Sequence, residues 1–303
     1  MSRHRIRRSA LSASVTAVVL LAGSAAGGAF LVGRSPDRAP VALASVSSAS
    51  SPPAAAATSE EAEVDLDAEL AGAVAPLTGE GALSVAVLAD GGEAIATYGD
   101  TTTYDTASIV KVDVLAALLL QAQDEGRELS GAEHGYAAAM IQRSDNASAT
   151  RLWQVIGGAE GLDAANARLG LTSTTAAQAW GLTQTTASDQ VRLLRAVFDP
   201  AGDSVLSADS RAYVQELMGK VEADQQWGVS AAGTGWSLKN GWMPRTTTGL
   251  WDINSIGRVL VGGRTYLVAV LSDGHATKEA GIALVESVAE AAVAAVAAVS
   301  DAR

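Results

Sequence analysis

Apolar and polar positions change rhythm several times along the chain, and each change marks a boundary. Residues 11–32 form a nearly unbroken apolar span with its core at 15–22, preceded by Arg3, Arg5, Arg7 and Arg8. A basic start followed by such a span reads as a targeting segment outside the fold. It is either cleaved after an Ala-x-Ala site such as Ala42-Leu43-Ala44 or retained over 1–33 as a membrane anchor. Residues 34–62 are Ser, Ala and Pro with almost no large apolar side chains, the composition of a disordered tether. The folded body is expected over 63–303.

Within that body, residues 64–74 have the pattern of a short amphipathic helix. Residues 83–89 and 93–98 read as strands joined by Asp90-Gly91-Gly92, a hairpin signal. From 108 to about 219 the pattern is helical, with breaks at Gly131, Gly157-Gly158 and Asp199-Pro200. Strands follow at 235–241, 250–261 and 265–272, and an Ala/Val-rich helix closes the chain over 278–299. Two hairpin strands and three meander strands can join in one sheet. The expected fold is therefore α/β of the α+β kind. It has a five-stranded antiparallel sheet flanked by the N- and C-terminal helices, with an inserted all-helical lobe. A cleft is expected between the sheet edge and that lobe.

Composition narrows the chemistry. The chain has no cysteine, which removes disulfides, thiolate metal sites and a cysteine nucleophile. The formal charge is −12, yet residues 1–40 carry a net of +5, so the remainder stands at −17. A body that acidic is a poor partner for nucleic acid. The three histidines, His4, His134 and His275, have no metal-ligand spacing, and no Ser-His-Asp set is visible. No metal or cofactor is expected, and the chain is expected to be a monomer that meets a membrane only through its N-terminal segment.

Lysine is scarce: Lys111, Lys220, Lys239 and Lys278 are the full set. Lys111 stands three residues after Ser108, at the start of an apolar run over 112–120 interrupted only by Asp113. On a helix the two side chains face the same way, a hydroxyl beside its possible base. Asp105 and Thr106 are the candidate caps. The bland alternative is a serine that starts the helix and a lysine that snorkels to water. Ser144-Asp145-Asn146 precedes a further helix at 147–156 and read alone is an ordinary cap. Lys239-Asn240-Gly241 ends a strand and read alone is a turn entry.

In the order Ser-x-x-Lys, Ser-Asp-Asn, Lys-x-Gly, these strings resemble the penicillin-recognising serine hydrolases of the β-lactamase/transpeptidase-like superfamily, class A β-lactamases above all. Asn254-Ser-Ile-Gly-Arg258, the stretches 266–272 and 281–289, and Thr185-Thr186-Ala187 resemble further segments of that family. The resemblance implies an extracytoplasmic enzyme, secreted or tethered to the outer face of the membrane. Its substrates would be β-lactams or peptidoglycan peptides ending in D-Ala-D-Ala. Ser108 would be the nucleophile and Lys111 its base, with Ser144 relaying a proton. Asn146 would hold the substrate amide, and Lys239, with Asn240, its carboxylate. The backbone N–H groups of Ser108 and Trp242, the residue after Gly241, would form the oxyanion hole.

Two departures from the family bear on turnover. Asn240 stands where Thr or Ser is usual. The deacylating Glu-x-x-Leu-Asn string is missing, since Glu160 is the only glutamate between Asn146 and Thr185, and it reads as a first-turn helix charge. A carboxypeptidase-like enzyme without efficient β-lactam hydrolysis, or a non-catalytic binder of cell-wall peptides, is the alternative. Several other strings point to nothing further. Gly202-Asp-Ser-Val-Leu206 lacks an accompanying Asp-x-x-His, Trp236, Trp242 and Trp251 read as core or cleft wall, and Arg245 reads equally as a carboxylate binder or a turn charge.

Overall fold

The computed structural model describes residues 64–79, 81–199 and 204–301. The targeting segment and tether expected before residue 63 lie outside the described residues, as do Gly202 and Asp203. Helix α1 (Leu66–Val74) is capped by Asp65, whose carboxylate accepts from the N–H groups of Asp67 and Ala68. Strands β1 (Leu83–Ala89) and β2 (Ala96–Tyr98) form the first hairpin. Next come β3 (Tyr104–Asp105) and a 3-10 turn, Ala107–Ile109, then α2 (Val110–Asp124), α3 (Gly131–Gln142), α4 (Asn146–Val155) and α5 (Gly158–Leu169). The chain continues through β4 (Gln184–Thr185), α6 (Ala187–Phe198), α7 (Ala208–Met218), β5 (Thr234–Pro244), β6 (Trp251–Val261), β7 (Arg264–His275) and α8 (Lys278–Asp301).

The five long strands form one antiparallel sheet in the order β2-β1-β7-β6-β5. The chain's first long strand therefore pairs with its last, Leu83 opposite Ser272 through Ala89 opposite Tyr266. Successive side chains of a strand point to opposite faces, and here both faces are covered. Val85, Val87, Val268 and Val270 pack with Leu70 and Val74 of α1 and with Val285, Val288 and Val293 of α8. Ala86, Leu88, Leu267 and Leu271 belong instead to the core of the helical lobe. This two-sided burial explains why 83–89 reads as an apolar run rather than an alternation. By length and composition alone α8 could cross a membrane, but its valines at 285, 288, 293 and 296 are the buried ones. Each such side chain contributes about 1.5–3 kcal/mol by leaving water.

Helix α2 is the axis of the lobe. From Val110 to Leu120 every residue is buried, including Lys111 and Asp113. Its entry differs from the expectation in one respect: neither Asp105 nor Thr106 caps it. The 3-10 turn intervenes, Thr106 makes no side-chain cap bond, and Asp105 lies in β3. The pair β3–β4, Tyr104 opposite Thr185 and Asp105 opposite Gln184, is too short to leave a periodicity in the sequence.

Candidate active site

Ser108 sits in the 3-10 turn that leads into α2, and Lys111 follows in the first turn of the helix. Lys111 Nζ donates to Ser108 Oγ at 2.9 Å. The turn is strained, since Ala107 holds φ at 46°, a value a non-glycine residue keeps only where its surroundings over-determine it. Those surroundings are identifiable. Asn254, buried in β6, donates through Nδ2 to the carbonyls of Asp105 and Thr106 at 2.9 and 3.2 Å, while its Oδ1 accepts from the Ser272 N–H at 3.1 Å. The Thr106 N–H donates to the Thr183 carbonyl. Gly241 lets edge strand β5 press against the same turn, because a Cβ there would stand 2.7 Å from the Thr106 carbonyl oxygen and 2.9 Å from the Ser108 nitrogen.

The second motif is a cap and a site component at once. Asp145 caps α4, accepting from the Ser148 N–H at 2.6 Å. Ser144 just before it has φ of 55°. That left-handed residue brings both Ser144 and Asn146 to the lysine: Lys111 Nζ donates to the Ser144 carbonyl at 2.7 Å, Ser144 Oγ at 3.0 Å and Asn146 Oδ1 at 2.8 Å. Lys239 reaches the same hydroxyl from β5, its Nζ donating to Ser144 Oγ at 3.0 Å and to the Asn240 carbonyl at 2.8 Å. Ser144 Oγ is thus held between two amines whose residues are both fully buried, while Ser108 remains partly exposed.

Burial without a carboxylate bonded to the amine disfavours an ammonium ion. It lowers Lys111 from 10.5 to about 7, with Asp145 opposing in part. Lys239 is held well below its ordinary value by burial first and by the charge of Lys111 second. At neutral pH a substantial fraction of Lys111 therefore has a lone pair, and the Ser108 hydroxyl lies within its reach. The unit can take a proton from Ser108 and return it through Ser144.

The remaining expected site residues are placed differently from one another. Asn240 is buried and turned into the protein, its Nδ2 donating to the carbonyls of Gln225 and Trp227 at 2.9 Å each, so both of its donors are engaged away from Ser108. Reaching it from the cleft is prevented by the pleat, which sends alternate side chains to opposite faces. The Trp242 indole lies 6.0 Å from that of Trp227 and under Lys278 Nζ at 4.1 Å, at the margin of the α8 core together with Trp236 and Trp251. Arg245 pairs with Asp105 and with Asp252, which ties β3 to the sheet. Glu160 occupies the first turn of α5, and His275 bonds Ser272 Oγ at 2.9 Å.

Two residues of the site had no sequence signal strong enough to find them. Asn254 was visible as the first residue of a stretch that resembles a family segment, with nothing to indicate that its side chain bonds the turn before Ser108. Trp180 lies in a 3-10 turn, Trp180–Leu182, on the segment between α5 and α6, and its ring centroid stands 5.0 Å from Lys111 Nζ.

The fold has known counterparts. A class A β-lactamase from Bacteroides cellulosilyticus superposes with a TM-score of 0.66 at 17% identity, over 78% of this chain and 100% of its own. A β-lactamase from Xanthomonas campestris does so at 0.63 and 21%, over 77% and 100%. PBP-A, in the form of a point mutant solved as an acyl-enzyme complex with penicillin G, superposes at 0.63 and 19%, over 77% and 96%. No curated protein matches the chain by sequence. The model of the β-lactamase enzyme family matches residues 135–296, a stretch that begins after α2 and holds the second and third motifs. With over half of its length matched, and with Ser108 and Lys111 brought by the fold to those two motifs, this chain belongs to the β-lactamase enzyme family.

Proposed function

We propose that the chain is an exported serine hydrolase that acts through a Ser108 acyl-enzyme on β-lactams or on peptides ending in D-Ala-D-Ala. The observation that carries this reading is the convergence on Ser144 Oγ. Lys111 and Lys239 each donate to it at 3.0 Å, and Lys111 bonds Ser108 Oγ at 2.9 Å at the same time. Neutral Lys111 takes the Ser108 proton as Oγ attacks the carbonyl carbon. The C–N bond then breaks, and the proton passes by way of Ser144 to the leaving nitrogen. The backbone N–H groups of Ser108 and Trp242 receive the developing oxyanion, each worth about 10²–10³ in rate. Asn146, exposed beside Lys111, offers its amide to the substrate, and Lys239 its charge once a carboxylate is bound.

The segment 171–185 between α5 and α6 contains neither aspartate nor glutamate. This favours a carboxypeptidase-like enzyme that releases a penicilloyl group slowly over an efficient β-lactamase. The acidic body argues for a small-molecule or peptide substrate and against nucleic acid. The test is intact-mass spectrometry of residues 58–303 with penicillin over time, with Ser108→Ala as control. A Ser108-dependent adduct is expected to persist for minutes to hours. Loss of the adduct within seconds would make the enzyme a β-lactamase. No adduct with several β-lactams, in folded protein, would overturn the reading and leave a binder of cell-wall peptides.

A further inference from the structure

Trp180 packs at the margin of the lobe core and against the Lys111 amine at once. Its indole N–H donates to Thr150 Oγ1 on α4 at 3.3 Å, and its ring faces Lys111 Nζ at 5.0 Å. At the next residue, Gly181, an added Cβ would stand 3.9 Å from Ala107 in the turn that carries Ser108. The Thr106–Thr183 backbone bond fastens the same short stretch to that turn. All four oxygens that bond Lys111 Nζ come from Ser108, Ser144 and Asn146. The segment carrying Trp180 adds a ring to the amine's surroundings, and it has no carboxylate to add.

We propose that Trp180 is a positioning residue that sets the lifetime of the acyl-enzyme, its indole filling the flank of Lys111 from which a hydrolytic water would have to be activated. The inference rests on the Ser108 acyl-enzyme reading. Hydrolysis requires a water to lose a proton to a base and add to the ester carbonyl carbon. The bond from that carbon to Ser108 Oγ then breaks, and the proton returns to Oγ. Lys111 is the base within reach, and an aromatic face against its Nζ favours the ammonium form and excludes water from that side.

The test compares Trp180→Phe, Trp180→Ala and Trp180→Glu with the parent by intact-mass time courses with penicillin, which give the acylation rate and the adduct half-life separately. Opening the flank in Trp180→Ala should shorten the half-life about tenfold. A carboxylate there in Trp180→Glu should shorten it by about 10²-fold, the lower range for an added general base. Trp180→Phe should keep the half-life within about threefold of the parent, since it retains an aromatic face. In Trp180→Glu the new carboxylate also favours the ammonium form of Lys111 and slows acylation at pH 7, which is why the two rates are read separately. Slower acylation in Trp180→Ala with no shortening of the half-life would mean loosened packing alone and overturns this role, as does an unchanged half-life of the adduct in both Trp180→Ala and Trp180→Glu; either result leaves the acyl-enzyme standing. Failure of the parent to acylate at all overturns both.

Discussion

Acylation of Ser108 should follow one ionisation with a midpoint near 7, because burial lowers Lys111 from 10.5 to about 7 and only the neutral amine can accept the Ser108 proton. With that midpoint about half of the lysine is neutral at pH 7, about one part in a hundred at pH 5 and nearly all at pH 9. The acylation rate should therefore fall about fifty-fold from pH 7 to pH 5 and rise about twofold to pH 9. An unburied lysine would be neutral in only about one molecule in three thousand at pH 7, so burial makes the base available about a thousand times more often, a differential on the order of 5 kcal/mol. The same shift has a cost in stability with a definite sign. The folded pKa lies below the unfolded one, so between pH 7 and 10.5 the unfolded chain binds the extra proton and stability rises with pH; below 7 the whole penalty is present. The assay is the intact-mass acylation rate at pH 5 to 9, with Lys111→Arg as the variant whose charge cannot be removed, expected to acylate at least about 10²-fold more slowly. A rate that is flat over that range, or a midpoint above 9, would refute the assignment of Lys111 as a neutral base.

Further outcomes follow from individual contacts. Asp145→Asn keeps an effective cap for α4 but removes the carboxylate that raises Lys111, so the acylation midpoint should move to lower pH, read from the same profile. Gly241→Ala drives a Cβ to 2.7 Å from the Thr106 carbonyl oxygen; displacement of the nucleophile turn should cost about 10²-fold in acylation with little change in circular dichroism. Asn254→Ala removes the two hydrogen bonds that pin that turn and a third to the Ser272 N–H of β7, and should lower stability by about 2–4 kcal/mol in urea unfolding as well as slowing acylation. Asn240→Ala should leave acylation within a few-fold of the parent yet destabilise the fold by about 1–3 kcal/mol, because the Gln225 and Trp227 carbonyls lose their donor; a selective loss of acylation would show that the side chain works on the substrate after all.

Much of this protein was legible before folding. Periodicity alone determined the order of helices and strands, since alternation and the 3.6-residue repeat are local properties. The buried helix beginning near Ser108, the valine-rich strands at 83–89 and 265–272 and the apolar stripe of 278–299 all lie where the pattern put them. The Ser108–Lys111 contact was legible for the same reason, being three residues long. Three short motifs in a fixed order supplied the family, and the second of them is a helix cap whose Ser144 and Asn146 also bond Lys111.

What only the tertiary structure decided concerns partners far apart in sequence. Lys111 meets Ser144 across 33 residues, Lys239 meets it across 95, and Asn254 reaches Asp105 across 149; nothing in a local window records such a pairing. The pleat of β5 turned Asn240 inward although its neighbours Lys239 and Gly241 meet Ser144 and the turn of Ser108. Asp105, a candidate cap by sequence, was drawn instead to Arg245, and Trp180, one tryptophan among six, was set against the Lys111 amine. The physical reason is common to all of them. Hydrophobic rhythm sets which face of an element is buried, but the identity of a polar contact depends on which elements the closed sheet and its lobe bring within about 3 Å of each other.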